Sequence, residues 1–358
     1  MNFKISQKSS EVAVNSLVSI ESVLQYLENI QPKVVFIDKA VLESNNVISN
    51  VLGKLELEIF VLEDPERDKG FAKLQQCYEF LHEINVQRND TVVAIGGGAT
   101  TDLVGFIAST FKRGIKLCLI PTSLLSQVDA CIGGKTAINF LEVKNLIGSF
   151  YNPNEIVICT EFLMSQDKQQ YLTGVSEIIK HALITSEAET DYIYENIEAI
   201  NQRNTKSLEE IINRSINIKK DIVNEDFLEA GKRKFLNFGH TFGHGIESAN
   251  VENLILHGHA VAIGMLMALQ YSYDQELLSK NDFNKSSNLL RSINYDFSKI
   301  ELNPNKIYNF MKSDKKNSSN QSISLILLNG FGEPVIYEET DTNKLLNFLN
   351  TFAKDFEK

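Results

Sequence analysis

A chain of 358 residues is long enough for two domains, and 43% hydrophobic with 9% aromatic residues is ordinary globular composition, ample for large cores. A formal charge of -11 argues against nucleic acid or an anionic membrane as partner, while leaving room for a small anionic substrate in a locally basic pocket. No run reaches the ~18 uncharged apolar residues of a membrane span, and the start, MNFKISQKSSEVAV, lacks the apolar segment of a signal peptide, so a soluble, cytoplasmic protein is expected.

From about Lys33 to Thr160, short β-branched runs alternate with helical stretches: KVVFID, LEIFVLED, TVVAIGGG, KLCLIPTS and EIVICT. Such alternation predicts βαβ units around a mostly parallel, Rossmann-like sheet, an α/β domain over residues 1–160. Cys77, Cys118, Cys131 and Cys159 form no CxxC and sit in apolar contexts, so they read as reduced, buried thiols.

Within this half, TVVAIGGGATTDLVGFIAST runs an apolar strand into Gly96, Gly97 and Gly98 and then into a helix, with Asp102 in its first turn. Glycines let backbone approach a phosphate, and a helix N-terminus supplies oriented N–H groups, so a dinucleotide pyrophosphate would fit here. The loop is not GxGxxG, and tight strand-to-helix turns are often Gly-rich. Asp38 closes KVVFID, where a carboxylate can take ribose hydroxyls, and Glu66 and Lys69 follow LEIFVLED.

The next segment, RGIKLCLIPTSLLSQVDACIGGKTAINFLEVKNLIGSFYNP, embeds Arg113, Asp129, Lys135, Lys144 and Asn145 in apolar sequence. With Glu177, Lys180 and His181 on one helical stretch, Lys219, and the run Glu229, Gly231, Arg233, Asn237, these residues predict a charged cleft able to hold a phosphate and a carboxylate.

After Glu161 the pattern is nearly all helical, so residues 161–358 are expected to form an α-rich metal- and substrate-binding domain. Four of the six histidines, His240, His244, His257 and His259, fall within twenty residues there. His240 and His244 are four apart and share one helix face, and the second pair, at the entry to the apolar helix AVAIGMLMAL, can close on the same point, which is a metal-site layout. The spacing alone makes both His240 and His244 candidate ligands. Near the end, SISLILLNGFGEPVIYEE reads as a hairpin turning at Asn329 and Gly330, after a polar loop, DKKNSSNQS.

The blocks GGGATTDLVGF, RGIKLCLIPTSLLSQVDACIGGKTAIN, KNLIGSFYNP, GVSEIIKHALI, EAGKRKFLNFGHTFGHGIE and LHGHAVAIGM resemble, in order and spacing, the signature blocks of the 3-dehydroquinate synthase family, over roughly Asp38 to Lys316. The resemblance implies an NAD- and zinc-dependent cyclase, with Co2+ as a possible substitute, that converts 3-deoxy-D-arabino-heptulosonate 7-phosphate to 3-dehydroquinate and phosphate. The implied course is transient oxidation by NAD, β-elimination of phosphate, reduction, and intramolecular aldol closure. It implies Glu177, His240 and His257 as zinc ligands and turns His244 toward substrate. Lys135, His244, Lys180, Arg233 and Asn237 would be catalytic. Arg113, Asp129, Lys144, Asn145, Lys219, Glu229 and Lys316 would bind substrate. Asp38, Glu66, Lys69, Gly97, Gly98, Asp102, Thr122 and Ser123 would bind NAD. The expected partner is a small anionic sugar phosphate, with neither nucleic acid nor membrane, and the expected assembly is a homodimer.

Two departures stand out. The family usually reads HGE where this chain has His257, Gly258, His259, which replaces a carboxylate near the metal by an imidazole and leaves its contribution around the ion, or its simple exposure to solvent, as the open alternatives. Ser123 stands where threonine is more usual and keeps the hydroxyl. Two rivals share the architecture: a metal-dependent polyol dehydrogenase, which would need fewer cations around a phosphate and would accumulate NADH, and a sister sugar-phosphate cyclase, which would release a different carbocycle.

Overall fold

The computed structural model describes residues 2–7, 10–44, 48–49, 52–53, 57–141, 143–251, 255–313 and 322–356. Contacts divide the chain into two compact units, Met1–Asp167 with Leu208–Leu228, and Lys168–Ser207 with Glu229–Lys358. The segment Leu208–Leu228, helical in its sequence period, is thus counted with the first unit.

The first unit begins with two strands that the sequence reading did not mark, β1 (Asn2–Gln7) and β2 (Ser10–Leu17). The five β-branched runs form β3 (Val34–Asp38), β4 (Glu58–Leu62), β5 (Thr91–Gly96), β6 (Lys116–Pro121) and, later in the chain, β9 (Glu155–Cys159). Between the last two, Lys135–Phe140 (β7) and Val143–Phe150 (β8) pair as an antiparallel hairpin. The main sheet runs β1-β2-β9-β6-β5-β3-β4, parallel throughout except for β1 at its edge. Residues Val34 to Ile37 are wholly buried, as are Val92, Val93 and Ala94. Covering on both faces is why these strands are continuous apolar runs and not alternating ones.

The helix Ile20–Ile30 is capped by Ser19, whose Oγ accepts from Ser22 N. It buries Ile20, Val23, Leu24 and Leu27, at helical spacing, in one cluster with Val35, Ile37, Val93 and Ile120. The strand order carries the consequence for function. From β3 the chain passes outward to β4, then returns to β5 on the other side of β3, so the carboxyl ends of β3 and β5 flank a topological switch point, where open α/β sheets bind ligands. Asp38 and Gly96 end those two strands.

The second unit is helical, with the hairpin of β10 (Ile323–Leu328) and β11 (Pro334–Glu339) as its strand element. The hairpin loop is longer than a two-residue turn: Asn329 N donates to Glu333 O, and Gly330 and Gly332 both take positive φ. Residues 314–321, which contain most of the polar stretch and Lys316, lie outside the described residues. Helices His240–Ala249 and His257–Asp274 cross in near backbone contact, because a Cβ on Gly264 would collide with Gly239 O and lie 2.6 Å from Gly243 N. That crossing stacks His240 and His244 beside the N-terminus bearing His257. No described helix is long and apolar enough to cross a membrane.

Candidate active site

Glu177 lies on the helix Lys168–Leu183 and is fully buried. Its Oε2 accepts from Lys180 Nζ, one turn further along. Its Oε1 is buried and takes no hydrogen bond. A carboxylate oxygen left bare in a protein interior is costly unless something positive meets it. That oxygen stands 3.6 Å from His240 Nε2 and 4.0 Å from His257 Nε2.

The histidine tautomers follow from their second nitrogens. His240 Nδ1 is 3.2 Å from Phe238 O and His257 Nδ1 is 3.0 Å from Glu247 Oε2, both groups that only accept. Each Nδ1 therefore carries a proton, which leaves Nε2, on the side of Glu177, as the nitrogen with a lone pair in the neutral ring. Tetrahedral ligands about 2.05 Å from zinc are about 3.3 Å apart, so Glu177 Oε1 is about 0.3 Å beyond that spacing from His240 Nε2 and about 0.7 Å beyond it from His257 Nε2, a near fit to a divalent cation. The ligand atoms of Glu177, His240 and His257 indeed all lie within 4.8 Å of one another. His244, which spacing alone made an equal of His240, belongs with Glu247 and His257 in a neighbouring group. Its ring centroid is 5.4 Å from that of His240 and 5.8 Å from that of His257.

Glu247 was missed in the sequence. Its signal was present, since positions 240, 244 and 247 share a helix face. Loss of hydration would lower the His257 pKa, but the hydrogen bond and charge of Glu247, with the charge of Glu177, raise it above the usual imidazole value. His259 is not exposed: it is buried, with Nε2 2.6 Å from Gln169 Oε1 and its ring against Tyr295 and Phe297.

In the same unit Arg233 is buried on a short 3-10 segment, and Asn237 Nδ2 donates to Glu229 Oε1 at 2.8 Å. Glu229 holds a left-handed backbone, φ 61°.

In the first unit Gly97 caps the helix Gly98–Thr110. Thr122 N donates to Gly96 O, and Ser123 Oγ would lie 3.6 Å from a Cβ on Gly97, so Gly97, Thr122 and Ser123 lie together at the end of β5. Asp38 Oδ1 accepts from Ala40 N, and burial raises its carboxyl pKa. Asp102 falls in the second turn of the helix, not the first, because the helix starts at Gly98. There it accepts at Oδ2 from Lys69 Nζ, 2.6 Å away, and the same ammonium is 2.5 Å from Asn145 Oδ1. Lys144 Nζ stands 3.7 Å from Glu66 Oε1, both largely exposed.

Asp129 receives Lys219 Nζ at both its backbone and side-chain oxygens, at 2.6 and 2.7 Å. Lys135 opens β7 and is exposed, as is Arg113, whose backbone is left-handed with φ 63°. All four cysteines are free and buried, as expected.

Models of the N-terminal and C-terminal parts of 3-dehydroquinate synthase match residues 59–173 and 174–317. The chain is 39% identical over 290 residues to the 3-dehydroquinate synthase of Clostridium tetani, covering 81% of this chain and 77% of that one. To the same enzyme of Pelagibacter ubique it is 39% identical over 314 residues, covering 85% and 84%. Among solved structures, a 2-deoxy-scyllo-inosose synthase complexed with carbaglucose-6-phosphate, NAD+ and Co2+ is 26% identical, with a TM-score of 0.86 and 99% of each chain covered.

Proposed function

The chain belongs to the 3-dehydroquinate synthase family, and from that membership we propose how its residues divide the work of the reaction. The activity is that of a carbon–oxygen lyase acting on phosphates, converting 3-deoxy-D-arabino-heptulosonate 7-phosphate to 3-dehydroquinate and phosphate in the shikimate pathway, toward aromatic amino acids. In this reading, the unit of Met1–Asp167 and Leu208–Leu228 carries the NAD contacts, and the unit of Lys168–Ser207 and Glu229–Lys358 carries the metal ligands.

The observation that carries the metal assignment is the buried Glu177 Oε1, without a hydrogen bond and facing His240 Nε2 and His257 Nε2. The similar inosose synthase was crystallised with NAD+ and Co2+. Glu177, His240 and His257 would hold Zn2+, with Co2+ as a substitute. When bound, the cation acidifies the substrate hydroxyls it meets and the nicotinamide takes up and returns one hydride.

This chain's own groups then bind and orient. Lys135, Lys144, Asn145 and Arg233 hold the phosphate, a task suited to ammonium charges and a forked guanidinium. His244, beside both metal-facing histidines, moves a proton at the departing phosphate. Lys180 donates to Glu177 and orients its carboxylate, and Asn237, its amide fixed by Glu229, orients substrate hydroxyls. Arg113, Asp129, Lys219 and Lys316 complete the substrate contacts. Asp38 takes the ribose, Gly97 and Gly98 admit the pyrophosphate to the helix N-terminus, and Glu66, Lys69, Asp102, Thr122 and Ser123 complete the NAD contacts. The assembly we propose is a homodimer, for which exposed Leu141, Val143 and Phe150 offer an apolar surface, and free thiols suit a reducing cytoplasm.

The deciding experiment supplies the heptulosonate phosphate with a catalytic amount of NAD+. We expect stoichiometric phosphate and dehydroquinate with no net NADH absorbance. Accumulating NADH would instead indicate a polyol dehydrogenase, and phosphate release with another carbocycle a sister cyclase.

A further inference from the structure

We propose that Tyr295 and Ser176 are positioning residues for the metal ligands, forming a clamp that ties the backbone beside Glu177 to the backbone beside His257. The inference rests on the reading of Glu177, His240 and His257 as a cation site and deepens it.

Ser176 immediately precedes Glu177, and Gly258 immediately follows His257. Ser176 is wholly buried, with Oγ 2.7 Å from Gly258 O and 2.9 Å from Tyr295 Oη. The Ser176 hydroxyl is the donor in both contacts, with Leu172 O a longer third acceptor at 3.3 Å, so one buried hydroxyl joins its own helix to Gly258 O and to Tyr295 Oη. Burial raises the Tyr295 pKa, which keeps its hydroxyl neutral beside Ser176. At this point the two helices touch backbone to backbone: a Cβ on Gly258 would collide with Thr173. One hydrogen-bond chain thus sets the spacing of the segments that carry two of the three ligands.

A second brace runs parallel to it. Gln169, on the Glu177 helix, is 2.6 Å from His259 Nε2. Its Oε1 also accepts from Asp296 N at 3.2 Å, which fixes the amide orientation and so makes His259 Nε2 the protonated nitrogen. Tyr295 sits between the braces, its ring edge-on to His259 at 5.3 Å and stacked on Phe297 at 5.4 Å. Neither Tyr295 nor Ser176 offers an atom to the ion. They act through Glu177 and His257, as groups that orient metal ligands do, and loss of such a group typically weakens affinity by about 10- to 100-fold.

The test uses the full chain, stripped of metal and titrated with Co2+ while its visible spectrum is followed. Wild type should take one Co2+ per chain. Tyr295→Phe should bind Co2+ about 10-fold more weakly with an altered band shape, and Ser176→Ala at least as weakly. The double variant should add little, since both changes cut one chain of bonds. Tyr171, on the same helix as Ser176, serves as the control: Tyr171→Phe removes its hydroxyl bond to Ile200 O and should lower stability while leaving Co2+ affinity and spectrum as in wild type. Absence of Co2+ binding in wild type would refute the metal site itself. A wild type that binds, with folded variants matching its affinity and spectrum, would refute the clamp alone. Tyr295→Phe keeps the ring packed and decides the matter by itself if Ser176→Ala does not fold.

Discussion

Glu247 Oε2 lies 3.0 Å from His257 Nδ1, so the carboxylate that orients this imidazole comes from the helix His240–Ala249, three residues after His244. Position 259 is an imidazole where the resemblance leads us to expect a glutamate, and Glu247 supplies a carboxylate to the His257 ring. Glu247→Ala should lower zinc affinity by about 10- to 100-fold, read by competition with a chromophoric chelator. Unchanged affinity would mean the contact is incidental.

Lys135, exposed at the first position of β7, is assigned to the substrate phosphate. Lys135→Ala should reduce turnover about 10²- to 10³-fold, since one electrostatic contact to a reacting group contributes roughly 2.7–4 kcal/mol. NAD affinity, measured by fluorescence, should hold. Wild-type phosphate release from the variant would reduce Lys135 to a solvated loop charge.

Lys69 is only 4% exposed and meets Asp102 at 2.6 Å. Lys69→Met should destabilise the chain by roughly 3 kcal/mol in urea denaturation, because it strands a mostly buried carboxylate. Adding Asp102→Asn should recover part of that loss. A double variant no more stable than Lys69→Met would show that packing, and not the ion pair, sets the cost.

Burial pushes the Cys77, Cys118 and Cys131 thiols up to about 12 and Cys159 up to about 11. At pH 8 a thiol of pKa 11 is about one part in a thousand thiolate, so native protein should give no reaction with a disulfide reagent and four equivalents in denaturant. A raised folded pKa means the neutral form is the one the fold favours. That contribution is full below the unfolded thiol value near 8.5 and lost as pH rises through 11 to 12. Rapid labelling of native protein at pH 8 would contradict this.

What could be read from the chain alone was local. The runs around Val34–Asp38, Thr91–Gly96 and Lys116–Pro121 announce buried parallel strands, since a strand covered on both faces must be apolar at consecutive positions. The His240 and His244 spacing announces a shared helix face, because helical period is a property of a few adjacent residues.

Tertiary structure decided the pairings between distant positions. Strand β2 was overlooked as a short N-terminal run, and only its parallel register with β9 makes it part of the sheet. The segment Leu208–Leu228 has plain helical periodicity, which says that a face is buried but not against which unit. Asp102 meeting Lys69, Glu247 meeting His257, and Ser176 meeting Tyr295 join residues 33, 10 and 119 positions apart. Hydrogen bonds act over about 3 Å, so which acceptor a buried donor finds is set by where packed backbones bring it, and sequence distance carries no record of that.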